Sequence, residues 1–254
     1  MTLSTLTRYP VTIGGETLMV GTANELAVVL DVLQGQYDRE VLEQLEPNLA
    51  DIVDSPLGFS TVLKSLEPAD QIFFVRTLGS RLADVLQRAR YLRDIMATLS
   101  AVEVEQELLE TLGRKGLRRL ILSGGDLAEI LEWVYGECDR RLLELLGLDY
   151  LRRMLTDGSD LSQVLTGLDE SHQTFLIEQL GWDQVIKLVD NGRDLAYLLR
   201  ALPASISREL LHHFTRQRLV ELIGNAADWE FLCRRLETEE AAYLFALLGV
   251  KDHA

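Results

Sequence analysis

A chain of 254 residues with 47% apolar side chains can hold one or two globular domains or one elongated stack around a continuous core. Its formal net charge of −15, from 25 basic and 40 acidic residues, repels nucleic acid and anionic lipid over most of its surface, so neither is an expected partner. Two cysteines without a CxxC pair, an N-terminus with no charged head ahead of an apolar run, and no apolar stretch of about 18 residues point to a reducing, cytoplasmic setting without membrane insertion.

Residues 1–23 differ from the rest. Val11 and Ile13 alternate with polar residues, Gly14-Gly15 interrupts, and Leu18 and Val20 alternate again. Two such runs around Gly-Gly predict a β-hairpin. A lone hairpin is marginal in water, so this one is expected to cap the exposed core of the first repeat. The other use of such a strand is to pair with a partner.

From residue 24 to residue 254 a pattern recurs. The first core residue of each copy is Leu26, Phe59, Leu92, Leu127, Leu161, Leu195 and Trp229, at spacings of 33, 33, 35, 34, 34 and 34. In every copy three more apolar residues follow at i+3, i+4 and i+7, as in Leu161-Val164-Leu165-Leu168 and Leu195-Leu198-Leu199-Leu202. That spacing is one face of a helix, and a fixed period in this range marks an array of helical repeats. Each copy holds three short helices, and the seventh ends after its second, at residues 250–254. Cys233 fills a column otherwise apolar and is expected to be buried.

Glycines punctuate the repeats. Gly79, Gly113, Gly147, Gly181 and Gly249 follow the second helix, where a left-handed residue can end it. Gly158, Gly192 and Gly224 are expected to end the third. Pro47, Pro56, Pro68 and Pro203 fall in the breaks, where a missing N–H is tolerated. Asp126, Asp160, Asp194 and Asp228 precede the first helix of four consecutive repeats and read as helix caps; Asp126 with Glu129, and Asp160 with Gln163, have capping-box spacing.

Turns such as LEPADQ (Leu66–Gln71) and LDESHQ (Leu168–Gln173) between short amphipathic helices resemble the α-solenoids of the armadillo and HEAT class. The pattern is similar to the helical N-terminal domain of MgtE magnesium transporters and to FliG-type flagellar repeats. The resemblance implies an all-α, right-handed superhelix of three-helix repeats behind the hairpin cap, with third helices lining a concave groove and a noncatalytic role in binding another protein. No functional residue carries over. The alternative it implies is a regulatory domain that senses a small ligand or a divalent cation.

No catalytic or cofactor motif is found: HExxH, GxGxxG and P-loop patterns are absent, and His172, His212, His213 and His253 lack a zinc-like spacing. The expected function is therefore that of a scaffold or adaptor, without cofactor or metal. One column is distinctive. On the third helix, opposite the core face, successive repeats carry Asp51, Asp84, Arg119, Arg153, Lys187 and Glu221, and the neighbouring column carries Arg118 and Arg152. Arg118, Arg119, Arg152, Arg153 and Lys187 thus form a candidate basic strip that could receive an acidic segment of a partner. The ordinary alternative is a solvated face paired with acids of adjacent repeats. Trp182, in the break after Gly181, is a candidate aromatic anchor, as are the off-register rings Tyr197, Phe231 and Trp133; burial is the commoner fate of all four. The exposed end faces of the stack offer a route to a homodimer.

Overall fold

In the computed structural model the described residues are 7–249, apart from 135, 225 and 237. The expected end of the seventh repeat at residues 250–254, with His253, lies outside them, as do residues 1–6. The chain divides into two compact units, Met1–Ile121 and Leu122–Ala254.

The N-terminal unit opens with the hairpin: β1 (Tyr9–Ile13) pairs antiparallel with β2 (Glu16–Val20), Val11 opposite Leu18. Gly14 and Gly15 both have positive φ, 60° and 90°, as a tight two-residue turn requires. Helices α1 (Ala23–Leu33), α2 (Asp38–Leu45) and α3 (Leu49–Ile52) make the first repeat. Helices α4 (Pro56–Lys64), α5 (Pro68–Leu78) and α6 (Leu82–Leu86) make the second. The third has α7 (Ala89–Met96) and α8 (Val102–Leu120), which breaks at Gly113 (φ 54°, ψ −176°) and so contains both remaining helices. β1 lies against α2 and is clasped by it: Thr12 N–H donates to Gln44 Oε1 at 2.8 Å, and Gln44 Nε2 donates to Thr12 O at 2.9 Å. Val11 and Val20 are fully buried, while Leu18 is exposed, so only part of the expected apolar face is covered.

The C-terminal unit repeats the plan more regularly. The fourth repeat is α9 (Gly124–Leu131), α10 (Glu137–Leu146) and α11 (Leu148–Met154). The fifth is α12 (Gly158–Thr166), α13 (Glu170–Leu180) and α14 (Trp182–Lys187). The sixth is α15 (Gly192–Ala201), α16 (Ala204–His212) and α17 (Arg216–Leu222). The seventh has α18 (Ala226–Arg235) and α19 (Thr238–Leu248). First helices stack on first helices, α9 on α12, α12 on α15 and α15 on α18; α1 on α4 does the same in the N-terminal unit. Second helices likewise touch second helices, α10 with α13 and α16 with α19. Leu161, Val164, Leu165, Leu195, Leu198 and Leu199 are completely buried by this stacking. In the first and seventh repeats the same columns are half-open: Val29, Leu33, Trp229, Leu236 and Cys233 are each only partly buried. Cys233 is therefore more exposed than its column suggested; the fully buried thiol is Cys138.

Three readings of the breaks need correction. First, Gly158 and Gly192 do not end third helices but begin first helices, behind the N-caps Asp157 and Asn191. Glycine is needed there because the next first helix comes too close for a side chain. A Cβ on Gly124, Gly158 or Gly192 would lie 2.8, 2.6 or 2.9 Å from the Cβ of Asp160, Asp194 or Asp228. Second, the aspartate column caps these helices from inside. Ser123, Asp157 and Asn191 accept the N–H of Asp126, Asp160 and Asp194 at 3.1, 2.9 and 3.0 Å. The aspartates reach back to the chain before the helix: Asp126 Oδ2 accepts from Leu122 N–H (2.9 Å), and Asp160 Oδ2 from Thr156 N–H (3.0 Å). This is a reciprocal cap one turn earlier than its sequence spacing implied. Third, Gly147 and Gly181 end second helices with φ 76° and 75° but ψ 147°. That is not the left-handed helical region but an extended one open essentially to glycine alone.

Candidate functional site

The residues of the basic strip stand where third helices were expected. Arg118 and Arg119 occupy the last turn of α8, Arg152 and Arg153 the last turn of α11, and Lys187 the end of α14. Arg119 Nη1 meets Asp84 Oδ1 of the preceding repeat at 2.5 Å. Both groups are about half exposed, so this pair is worth at most about 1 kcal/mol and can exchange for another carboxylate. A cleft of about 500 Å³ opens beside it, lined by Ser80, Thr111, Lys115 and Gly116 among others. In the C-terminal unit Arg152 Nη2 donates to Leu180 O at the end of α13 (3.0 Å), which ties one repeat to the next. Arg153 Nε donates to Asp149 O (3.1 Å), and its guanidinium lies 5.8 Å from the Tyr150 ring centroid. Lys187 is exposed. Arg119 and Arg152 thus have intramolecular partners in adjacent repeats.

Trp182 is half-buried. Its indole N–H donates to Glu209 Oε1 at 3.0 Å, and its ring stacks on His213 with centroids 4.9 Å apart. The ring joins the fifth repeat to the sixth. Tyr197 and Phe231 likewise meet edge to face at 5.4 Å, whereas Trp133 is 40% exposed.

A second set of residues is invisible in the apolar pattern. Three residues before the first core position of the second helix in the first six repeats stands a polar side chain: Asp38, Gln71, Glu105, Asp139, Gln173 and Ser207. All but Gln71 are more than nine-tenths buried. The position faces the C-terminal carbonyls of the preceding first helix, which lack intrahelical donors. Gln71 Nε2 donates to Leu63 O (2.8 Å); Gln173 Nε2 donates to Leu165 O (2.7 Å) and Leu168 O (3.1 Å); Ser207 Oγ donates to Leu199 O (3.0 Å) and Leu202 O (3.3 Å). Asp38 cannot donate while ionised. Its two oxygens are buried and find no hydrogen-bond partner among the described residues. Burial raises its pKa, and Asp70, Glu67 and Asp31 raise it further.

At Asp139 the same position meets a histidine. His172, in the first turn of α13, is 7% exposed, and its Nδ1 lies 3.5 Å from Asp139 Oδ2 and 3.2 Å from Asp169 Oδ2. Asp169 is the N-cap of α13: its Oδ1 accepts from Ser171 Oγ at 2.7 Å and from His172 N–H at 2.9 Å. Those bonds, that of Ser171 first, hold its carboxyl below the usual range, and they turn Oδ2 toward the imidazole. One ligand atom from each of the three residues lies within 4.8 Å of the others. Spacing along the chain gives no hint of this, since Asp139 is 33 residues from His172; only the repeat register, which lays α13 beside α10, brings them together.

Comparisons with protein-family models, curated protein sequences and solved structures find no match to this chain. Among the described residues no helix is long and apolar enough to cross a membrane.

Proposed function

We propose that the chain is a noncatalytic protein–protein interaction scaffold of α-solenoid type, similar to armadillo and HEAT proteins, whose third helices receive an acidic segment of a partner. The sequence feature that carries this reading is the recurrence of cations at one repeat position. Arg118-Arg119, Arg152-Arg153 and Lys187 occupy three consecutive third helices of a chain with a net charge of −15. The half-exposed Arg119–Asp84 pair beside an open cleft supports it, because a partner carboxylate can replace Asp84 at little cost. The guanidinium forks suit carboxylates. The test is titration of a fluorescent glutamate-rich peptide against the chain and its Arg119→Glu/Arg153→Glu/Lys187→Glu variant. The expected result is a loss of affinity of at least about tenfold with a shallower salt dependence. Unchanged affinity and salt slope would remove the strip from consideration.

A second reading, a regulatory domain that senses a divalent cation, is favoured by one observation: the convergence of Asp139, Asp169 and His172.

A further inference from the structure

We propose that Asp139, Asp169 and His172 form a binding site for a divalent first-row transition ion of the zinc type. Clustered acids alone would not support this. The deciding group is His172, whose Nδ1 is buried, points at both carboxylates, and has no hydrogen-bond partner among the described residues. A buried imidazole nitrogen that makes no hydrogen bond is costly, and a metal ion would satisfy it. The spacing fits. Ligand atoms around a tetrahedral ion with bonds of roughly 2.0–2.2 Å lie roughly 3.3–3.6 Å apart; the observed separations from Nδ1 are 3.2 and 3.5 Å.

The donor set also selects the ion. One imidazole with two carboxylates suits zinc and its neighbours, whereas magnesium and calcium favour oxygen-only shells. Three protein ligands leave a fourth position for water, and Asp169, with its side chain 55% exposed, supplies the entry side. Ser171 Oγ and the His172 N–H orient Asp169 from behind through Oδ1, the outer-shell support that ligating carboxylates usually have. The ion would bridge α10 to the N-terminus of α13 and clip the fourth repeat to the fifth. The inference does not depend on the basic strip. It gives the cation-sensing reading its site, while a site that fills without altering partner binding would leave the inference standing and remove the sensing role.

The experiment is calorimetric titration of Zn²⁺ into the full chain, with Co²⁺ as a spectroscopic probe. One equivalent should bind saturably, Co²⁺ should show the visible d–d bands of a four-coordinate site, and Mg²⁺ in excess should not displace it. At about a hundredfold excess over Kd the Tm should rise by about 5–10 °C. Asp169→Asn, exposed enough to leave folding intact, and His172→Gln should each weaken binding by more than a hundredfold. Ser171→Ala should weaken it by about tenfold, as an outer-shell change does. Absence of saturable binding would overturn the proposal and leave His172 as a side chain packed beside two carboxylates. So would binding that survives both ligand variants but disappears when Cys138 and Cys233 are alkylated, or binding of Mg²⁺ in preference to Zn²⁺.

Discussion

The two compact units solve the same packing problems with different residues. In the C-terminal unit one solution is reused: a capping residue, a glycine, then an aspartate that reaches back, with each glycine facing the aspartate of the next repeat. In the N-terminal unit the caps are Thr22 and Ser55, while Arg88 stands at the third cap position and makes no side-chain cap bond. There the close approach is between Gly58 and Ala23, whose Cβ would lie 2.9 Å from a Cβ on Gly58. The buried polar position varies within both units: Gln71 donates in the N-terminal unit, and Asp139 in the C-terminal unit is an acid. Gln173 and Ser207 donate to carbonyls of the preceding helix, but Asp38, 1% exposed, has nothing to accept from among the described residues and must hold a proton to donate.

The comparison can be broken first at the glycines. Gly158→Ala should cost about 1–3 kcal/mol in urea unfolding, because the new methyl meets Asp194 Cβ at 2.6 Å and backbone atoms at 3.2 Å. Gly125→Ala, where the nearest contact is an ordinary 3.7 Å, should be neutral or slightly stabilising. Next comes the donor: Gln173→Leu should cost about 2 kcal/mol, since Leu165 O and Leu168 O lose the amide that serves them.

Asp38→Asn sharpens the comparison in the opposite direction. It supplies the missing donor and removes a buried acid, so a gain of about 1–2 kcal/mol is expected at neutral pH. The sign of the pH effect follows from the raised pKa. The folded chain holds the Asp38 proton to higher pH than the unfolded chain, so the wild-type stability falls as pH rises from the unfolded value toward the folded one. The variant's advantage should therefore vanish in acid, at pH below about 4, and appear as the pH is raised. Equal pH profiles for the two proteins would show that Asp38 stays ionised in the fold. Apart from the neutral Gly125→Ala control, the smallest expected effect is Arg88→Ser, which installs the absent cap on backbone already extended (φ −149°, ψ 155°) and should gain about 0.5–1 kcal/mol by thermal unfolding.

Much of this was legible in the chain itself. Leu26, Phe59, Leu92, Leu127, Leu161, Leu195 and Trp229, which the apolar period picks out, each lie in a helix, because burying one face of a helix leaves the same apolar spacing wherever it occurs. The hairpin was legible from Gly14-Gly15, and the prolines fell at the breaks: Pro56 and Pro68 begin α4 and α5, and Pro203 is the N-cap of α16. Cap register was not legible, since Asp-x-x-Glu and the true Ser-x-x-Asp overlap at Asp126, and only the helix start at Gly124 separates them. The glycines misled for a related reason: a missing side chain signals either a turn or a near neighbour, and sequence does not distinguish them.

The sequence by itself determined a mostly helical chain with a leading hairpin, since local periodicity and turn chemistry act over a few residues. The tertiary structure alone decided which polar side chains became buried and what they faced. It set Gln173 and Ser207 on the carbonyls of the preceding helix, left Asp38 without a donor, and brought Asp139 to His172 across 33 residues. The physical reason is that an apolar face needs only the right period, whereas a buried polar group needs one particular atom at hydrogen-bond distance, and that atom is supplied by another repeat or another helix.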